Sequence, residues 1–484
     1  MRRRSPEIPD NIRDSVAFGL YPRRILPRLF WNTIFWTIVL WAVRESYFII
    51  DGWDEWTGYF YLLFLWRYTR FLINCIGYVL YRPARVSNPT AAATYTPHDS
   101  VSVILPTVEP LGPDFLRCLT SCCNNNPAVV HIVTTIQHWD DLVDEVTKVR
   151  PNYPDVRIDL RVSEIASKRA QVAVAVPMVN TDIIVMLDDH VFWPRNFLFE
   201  VLAPFEDQGV GMVGTRKAVE RRETVPDIAY RIANFLGAVY LYRHNFEVRA
   251  TNTIDGGQFV ISSRTCAIRT PIMKSVEFLA EYQAEYFFFN IYGPLNPDDD
   301  NYNTRFVVRK GWKIKWQDTA AATITTTIGV QEPVWGKFLG QLQRWVRTTW
   351  RSNTTSLLRD PAVWAYQPYC IYAVYLTSYT NFAILTDPLL IWLFAHSKLY
   401  TTHLLGNFSN EPIPAFLPWG KVYTSIWPLL FWILFTKLVK IREYFARHPQ
   451  DWWCIFPYLA FAYIHSFIKA YAGFTFYDHG WTGR

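Results

Sequence analysis

Three places in the sequence bring together side chains able to do chemistry. Asp188-Asp189-His190 closes a short β-branched and apolar run over residues 181–187. Such a run predicts a buried strand, so the charged residues that end it must emerge where the strand stops. Asp298-Asp299-Asp300 sets three carboxyls side by side. Their repulsion raises at least one pKa, which suits a general base. A solvated acidic loop or a helix N-cap cluster is the plainer account of the same residues. Gln341, Arg344 and Trp345 are spaced i, i+3, i+4 in a predicted helix that continues through Arg347, Trp350 and Arg351. One face then presents an amide, a guanidinium and an indole together. An interfacial helix anchored by basic residues and Trp has the same composition.

The elements that must position these residues are legible around them. Residues 101–106 and 129–135 read as further buried strands, the first ending at Pro106-Thr107-Val108-Glu109 and the second followed by Asp140-Asp141. Helices are predicted over 138–149 and 164–178, the latter with Lys168-Arg169 near its start. Asp255-Gly256-Gly257-Gln258 is expected to open a small apolar strand, either as a hairpin turn or as a loop whose glycines let backbone approach a ligand. Alternation of strand and helix from 97 to 335 predicts a doubly wound α/β domain with a mostly parallel sheet. Such folds bind ligands at the carboxyl ends of their strands.

Half of the 484 residues are hydrophobic and 17% are aromatic, more than a soluble enzyme of this size usually carries. Trp and Tyr collect at membrane interfaces, and aromatic rings also stack on sugars. Apolar runs at 29–50 and 57–80 flank a link holding Asp51, Asp54 and Glu55 and no basic residue, while Arg82 and Arg85 follow the second run. That charge pattern predicts a transmembrane hairpin with both ends in the cytosol. Arg67 and Arg70 lie inside the second run and require a polar lumen or a partner. Apolar runs return at 368–396, divided at Asp387-Pro388, and at 420–438 and 453–474. Lys440, Arg442, Arg447 and His448 keep the 439–449 link inside, which places Asn407 of the preceding link outside. The net charge of +6 comes without a basic stripe, which argues against nucleic acid. Seven scattered Cys offer no paired zinc clusters and are expected to be free thiols, Cys118, Cys122 and Cys123 among them.

Acid clusters at these places followed by Q-x-x-R-W, between membrane segments, resemble the processive family 2 glycosyltransferases. The likeness is to hyaluronan synthases and fungal type 3 capsular polysaccharide synthase-like proteins. It covers the chain from about residue 29 to the C-terminus. The resemblance implies a glycosyltransferase-A-type α/β domain in the cytosol over 97–335, inserted between α-helical transmembrane segments. A basic N-terminus with two membrane helices (1–85) precedes it. Interface helices with the Q-x-x-R-W (336–382) and a C-terminal membrane region (383–484) follow. The implied activity is inverting and processive. A β-linked polysaccharide grows from a UDP-sugar and passes through the lipid bilayer, the enzyme being a multi-pass protein of the plasma membrane.

Site roles follow from the same resemblance. Pro106, Thr107 and Glu109 hold the uridine, Asp140 the base or ribose, and Lys168 and Arg169 the diphosphate. The D-x-D of the family reads Asp188-x-His190 here and binds a divalent cation, Mn²⁺ or Mg²⁺; imidazole ligates Mn²⁺ but suits Mg²⁺ less well. Counting back from Arg305, Asp298-Asp299 match the paired acids of G-D-D-x-x-x-x-x-R, with Pro297 in place of Gly. Asp299 is then the catalytic base, and Asp300 takes the role if the register moves by one. Trp345 borders the acceptor sugar and Arg344 meets the diphosphate, with Gln341 beside them. Trp481-Thr482-Gly483-Arg484 is similar to a W-G-T-R-like element that closes the nucleotide site, with Gly and Thr exchanged. For Trp481 and Arg484 to do so, one C-terminal segment must be re-entrant. A non-processive enzyme making a ceramide- or dolichol-linked glycolipid is the alternative among transferases. A transporter without catalysis leaves both acid clusters unexplained. These motifs serve the nucleotide and diphosphate common to all donors, so they specify neither the sugar nor the oligomeric state.

Overall fold

The computed structural model describes residues 25–49, 54–85, 93–221, 227–328, 334–400 and 419–480. Helices α1 (Ile25–Ile49) and α2 (Glu55–Leu80) precede the α/β domain. There, β1 (Val101–Pro106), α3 (Phe115–Cys123), β2 (Val129–Thr135), α4 (Trp139–Val149), β3 (Arg157–Ser163), α5 (Lys168–Ala175) and β4 (Ile183–Leu187) alternate as the patterning predicts. The chain continues through β5 (Val191–Phe192), β6 (Val210–Thr215), β7 (Lys217–Val219), the long helix α6 (Ile228–Asp255), β8 (Thr265–Arg269), α7 (Asp299–Arg309), β9 (Lys313–Gln317) and β10 (Ile324–Thr326). Helices α8 (Val334–Arg359), α9 (Ala383–His396), α10 (Trp419–Val439) and α11 (Ile455–Phe474) follow.

Seven strands form one sheet in the order β3-β2-β1-β4-β8-β6-β9, and β5-β10-β7 form a smaller one. β3, β2, β1 and β4 run parallel, while β8 is antiparallel to both β4 and β6. β4 is continuously apolar, and β1 nearly so, because both of their faces are covered. Val101, Val103 and Leu105 of β1 enter one core with Phe115 and Leu119 of α3 and Leu142 of α4. Ile104 enters the opposite core with Val172 and Ala175 of α5. β4 divides the same way, with Ile183, Val185 and Leu187 on one side and Ile184 and Met186 on the other. Each such side chain contributes about 1.5–3 kcal/mol by burial. The carboxyl ends of β1 and β4 are thereby fixed side by side. Cys118, Cys122 and Cys123 are buried free thiols in the first core.

The segment after α6 differs from its sequence expectation. Asp255 ends the helix, Gly256 takes the left-handed conformation at φ +74°, and no strand forms over 257–262. Backbone there bonds to side chains instead, as when Ile261 N–H donates to Thr304 Oγ1 at 2.8 Å. The Asp255 carboxylate accepts from the N–H groups of Gly257 (2.8 Å), Tyr369 (2.8 Å) and Cys370 (3.0 Å). It therefore caps the helical segment that begins at Pro368. A Cβ on Gly257 would lie 2.4 Å from Cys370 Cβ, so the glycine serves packing against this segment.

Among the described residues, one helix is long and apolar enough to cross a membrane, over Ile25–Glu45 of α1. Shorter apolar helices occupy Ala383–His396 and Ile426–Val439. The two arginines inside α2 have partners. Arg67 forms an ion pair with Asp387 of α9 and donates to Asn381 Oδ1 at 2.6 Å. Arg70 donates to Ala373 O at 3.0 Å and Thr377 Oγ1 at 2.6 Å. Lys437 of α10 pairs with the other Asp387 oxygen, so one buried carboxylate joins three helices. Asp387 is held by two cations, and α9 continues through Pro388 beside it. The division expected at Asp387-Pro388 falls instead at Asn381-Phe382.

Both ends of α11 return to the same body. Asp451 before it lies 2.8 Å from Arg221, just past β7, and Asp478 after it lies 2.7 Å from Arg347 of α8. Residues 475–480 thus fold back against the Q-x-x-R-W helix. Asn407, Trp481 and Arg484 lie outside the described residues. Replacing Asp255 by Ala strips acceptors from Tyr369 and Cys370. Chemical or thermal unfolding of Asp255→Ala is expected to show a loss of about 1–2 kcal/mol.

Candidate active site

Four segments meet at Lys168, the first residue of α5. Its Nζ lies 2.7 Å from Asp188 Oδ1, at the end of β4, and 3.2 Å from Asp299 Oδ2, at the start of α7. It also donates to Ser263 O at 3.1 Å, before β8. The Asp299 contact is an ion pair without hydrogen-bond alignment, and Asp299 Oδ2 has no hydrogen-bond donor among the described residues. Burial acts to lower the Lys168 pKa, but the two carboxylates outweigh it and raise it, so the ammonium form is secured. Burial likewise acts to raise Asp188. Lys168, His190 and Arg264 prevail and hold that carboxyl below the usual range.

Asp189 points to β1 rather than to Lys168. Its Oδ2 accepts from Thr107 Oγ1 at 2.7 Å and its Oδ1 lies 3.3 Å from His190 Nδ1. Gln171 of α5 donates to Thr107 O at 3.0 Å, which ties together the ends of β1 and β4 and the start of α5. Pro106 closes β1, and the Glu109 N–H donates to Thr107 Oγ1 at 3.2 Å. Asp140 is exposed in the first turn of α4, beyond the end of β2.

The three adjacent acids have three different environments. Asp298 adopts a left-handed backbone at φ +67° just before α7. Its carboxylate accepts from Arg351 Nε at 2.7 Å and from Thr348 Oγ1, both on α8. Burial acts against its ionisation, but Arg351 and Thr348 hold it well ionised. Asp298 is therefore a strut between α7 and α8. Asp299 faces Lys168. Asp300 accepts from its neighbour Asn301 through N (2.9 Å) and Nδ2 (3.0 Å). Burial first, then Asp299 and Asp298, push its carboxyl up to about 6.

Lys168 and Arg169 part ways. Arg169 is 2% exposed and spends its guanidinium inside the protein, on Tyr282 O (2.8 Å), Asn296 O (3.2 Å), Pro297 O (2.8 Å) and Glu285 (2.6 Å). Unlike the diphosphate contact implied by resemblance, it braces the 282–297 loop that delivers the acids. A cation at a helix start faces a cleft only if the turn exposes it, and here the following residue packs inward.

On α8, Trp345 stacks on Tyr240 of α6, with centroids 5.2 Å apart and planes at 24°. Arg264 Cζ lies 5.3 Å from the same indole centroid. Burial, and Arg344 alongside, lower the Arg264 pKa, while Asp188 and Asp300 act to raise it. Arg264, Arg344 and Trp345 thus adjoin the acids. Gln341 Oε1 is buried without a hydrogen-bond partner among the described residues. Sequence reasoning missed Arg264, Ser263 and the struts Thr348 and Glu285, which belong to no spacing pattern. Arg351 was visible only as a continuation of the helix.

No group of three His, Cys, Asp or Glu side chains suited to a metal occurs among the described residues. Asp188 and Asp299 nonetheless converge on one cation, the Lys168 ammonium. That fits a divalent ion held by one or two carboxylates, with its remaining positions taken by phosphate oxygens and water.

Glu285 holds two guanidinium groups at once, those of Arg169 and Arg305. Glu285→Ala leaves both buried and uncompensated. An unfolding measurement is expected to show a loss of about 3–5 kcal/mol, with Glu285→Gln losing less.

A "Type 2 glycosyltransferase" of Pyricularia oryzae is 34% identical over 430 residues, spanning 89% of this chain and 82% of that relative. Another of the same description, from Gibberella zeae, is 34% identical over 438 residues, spanning 90% of this chain and 77% of the relative. Among solved structures, the mannosyltransferase PcManGT from Pyrobaculum calidifontis, in complex with GDP-Man and Mn²⁺, aligns over 86% of this chain and 98% of its own. Its TM-score is 0.47 and its identity to this chain 14%. Residues 98–348 match Glycosyltransferase like family 2, a span that holds Lys168, Asp188, Arg264, Asp298 to Asp300 and Trp345. The chain belongs to glycosyltransferase family 2.

Proposed function

We propose that this transferase is a membrane-embedded, inverting enzyme. It draws a hexosyl unit from a UDP-sugar, adds it processively to a β-linked polysaccharide and passes the product across the bilayer. The observation that supports the chemistry best is the convergence of Lys168, Asp188 and Asp299 beside the Arg264–Trp345 pair. The α1 span and the apolar helices around Arg67 support the membrane setting.

On this reading Lys168, Arg264 and Arg344 face the donor diphosphate, and Pro106, Thr107, Glu109 and Asp140 line the nucleoside end. Asp188, with His190 beside it, would hold a divalent cation, which neutralises diphosphate charge when bound. Asp299 takes the proton of the acceptor hydroxyl. The hydroxyl oxygen bonds to the anomeric carbon, the bond from that carbon to the diphosphate oxygen breaks, and UDP leaves with the electron pair. One carboxylate suffices, because no covalent sugar–enzyme intermediate forms. Trp345 offers the acceptor sugar an aromatic face.

UDP release and product length, screened across UDP-sugars with Mn²⁺ or Mg²⁺, test this reading. A glycolipid product in place of polymer would reject processivity, and an absence of UDP release with every donor would reject the donor class. Asp299→Asn is expected to slow transfer by about 10²–10⁴-fold while UDP still binds. If Asp300→Asn is the dead variant instead, the base is Asp300. The pH dependence carries a sign. A carboxyl raised to about 6 in the fold, against 3.8 ordinarily, favours the folded state below that window and loses this contribution as pH rises through it. Stability should therefore rise slightly as pH drops through about 6, and Asp300→Asn should flatten that trend; activity should fall over the same range only if Asp300, and not Asp299, is the base.

Trp345→Ala is expected to cut polymer output far more than UDP affinity, and Trp345→Phe to keep part of it. If folded yield and output instead fall in parallel while the folded fraction stays fully active, the indole is only an anchor.

A further inference from the structure

Behind the Trp345–Tyr240 stack lies a partly open cavity of about 130 Å³, between α2, α6, α10 and α11. Tyr240 forms part of its wall. Six basic side chains line it: Arg67, Arg70, Arg243, Lys437, Lys440 and Lys469. Two carboxylates answer them. Asp387 is taken by Arg67 and Lys437. Glu247 lies 3.8 Å from Lys440, and its charge also acts on Arg70 and Arg243. Among the described residues, Lys469 donates to Asn381 O at 3.1 Å and lies over the face of Phe382 at 4.4 Å. His465 Nε2, in the same wall, is buried with no hydrogen-bond partner among the described residues.

Such an excess of positive charge among apolar helices is costly unless a counter-charge enters. The aromatic rings of Phe71, Tyr240, Tyr458 and Phe461 line the same space, so the occupant carries apolar or sugar faces as well as charge. Resting on the transferase reading above, we infer that this cavity takes an oxyanion borne by the acceptor, a carboxylate or a phosphate. The site side of Trp345 holds the acids that receive the acceptor hydroxyl. The cavity side holds the cations that receive its negative group.

The test uses the full-length protein purified in detergent. Thermal shift and binding titration would be run with a tetragalacturonate, a polyprenyl monophosphate and the neutral cellotetraose. Wild type should be stabilised by one of the two anionic probes and not by cellotetraose. Arg243→Gln and Lys469→Gln should each weaken that binding about ten-fold, whereas Lys469→Arg should restore most of it. Tetragalacturonate alone would assign the anion to an acidic polysaccharide, and the polyprenyl monophosphate alone to a lipid-linked acceptor. Equal response to cellotetraose, no response to either anion, or full affinity in both Gln variants would overturn the inference. UDP binding, measured on the same samples, reports the fold of each variant. If wild type binds UDP yet ignores the anions, only this inference fails. If it does not bind UDP, the UDP-sugar reading fails with it.

Discussion

Lys168 is a cation shared by two carboxylates from different elements, Asp188 at the end of β4 and Asp299 at the start of α7. Two carboxylates this close in a low-dielectric setting repel strongly. The acid cluster of α7 can approach the strand ends because the ammonium stands between them. The Asp188 carboxyl is held below its usual range there, Lys168 outweighing burial. On the proposed reading, a donor diphosphate would give that ammonium a new partner and leave Asp299 free to serve as the base.

A second ion pair transmits this arrangement to the helices. Asp298 is buried against Arg351 and Thr348 of α8, and Arg351 also donates to the carbonyls of Phe476 (3.0 Å) and Asp478 (3.1 Å). The α7 acids, the Q-x-x-R-W helix and the returning C-terminal segment are one hydrogen-bonded unit. This explains why three consecutive Asp residues are not interchangeable. The first fixes α8, the second faces the cation, and the third is held by Asn301 with its proton bound more tightly.

The α/β frame was legible because its signals are local. The runs at 101–106, 129–135 and 181–187 read as strands from their β-branched apolar character, and each lies in the parallel sheet. The acid clusters were legible as clusters, since strand and helix ends have to expose what they carry. What sequence does not encode locally is which member of a cluster turns inward. Arg169 beside Lys168 and Asp298 beside Asp299 look equivalent in the chain. They differ through partners such as Glu285 and Arg351, far away in sequence. The break placed at Asp387-Pro388 failed for the same reason. A local helix-breaking signal was overridden by two cations from other helices. Residues 255–262 lacked the strand because Thr304 and the 368–370 segment supplied their partners.

The charge distribution on either side of Trp345 is opposite in sign. Toward the strand ends, the residues nearest the Lys168 ammonium are acids. Past Tyr240, cations outnumber acids among helices that otherwise bury aromatic and aliphatic surface. An indole stacked on a phenol is an apolar partition between these two fields, passable to a sugar that can lie flat against it. A neutral acceptor would feel only the partition. An acceptor carrying a negative group would be oriented by both fields at once, its hydroxyl directed to Asp299 and its charge drawn behind Tyr240. The buried cations then have a function that the helix bundle alone does not give them, because a bundle needing only to pack would be more stable with those positions apolar.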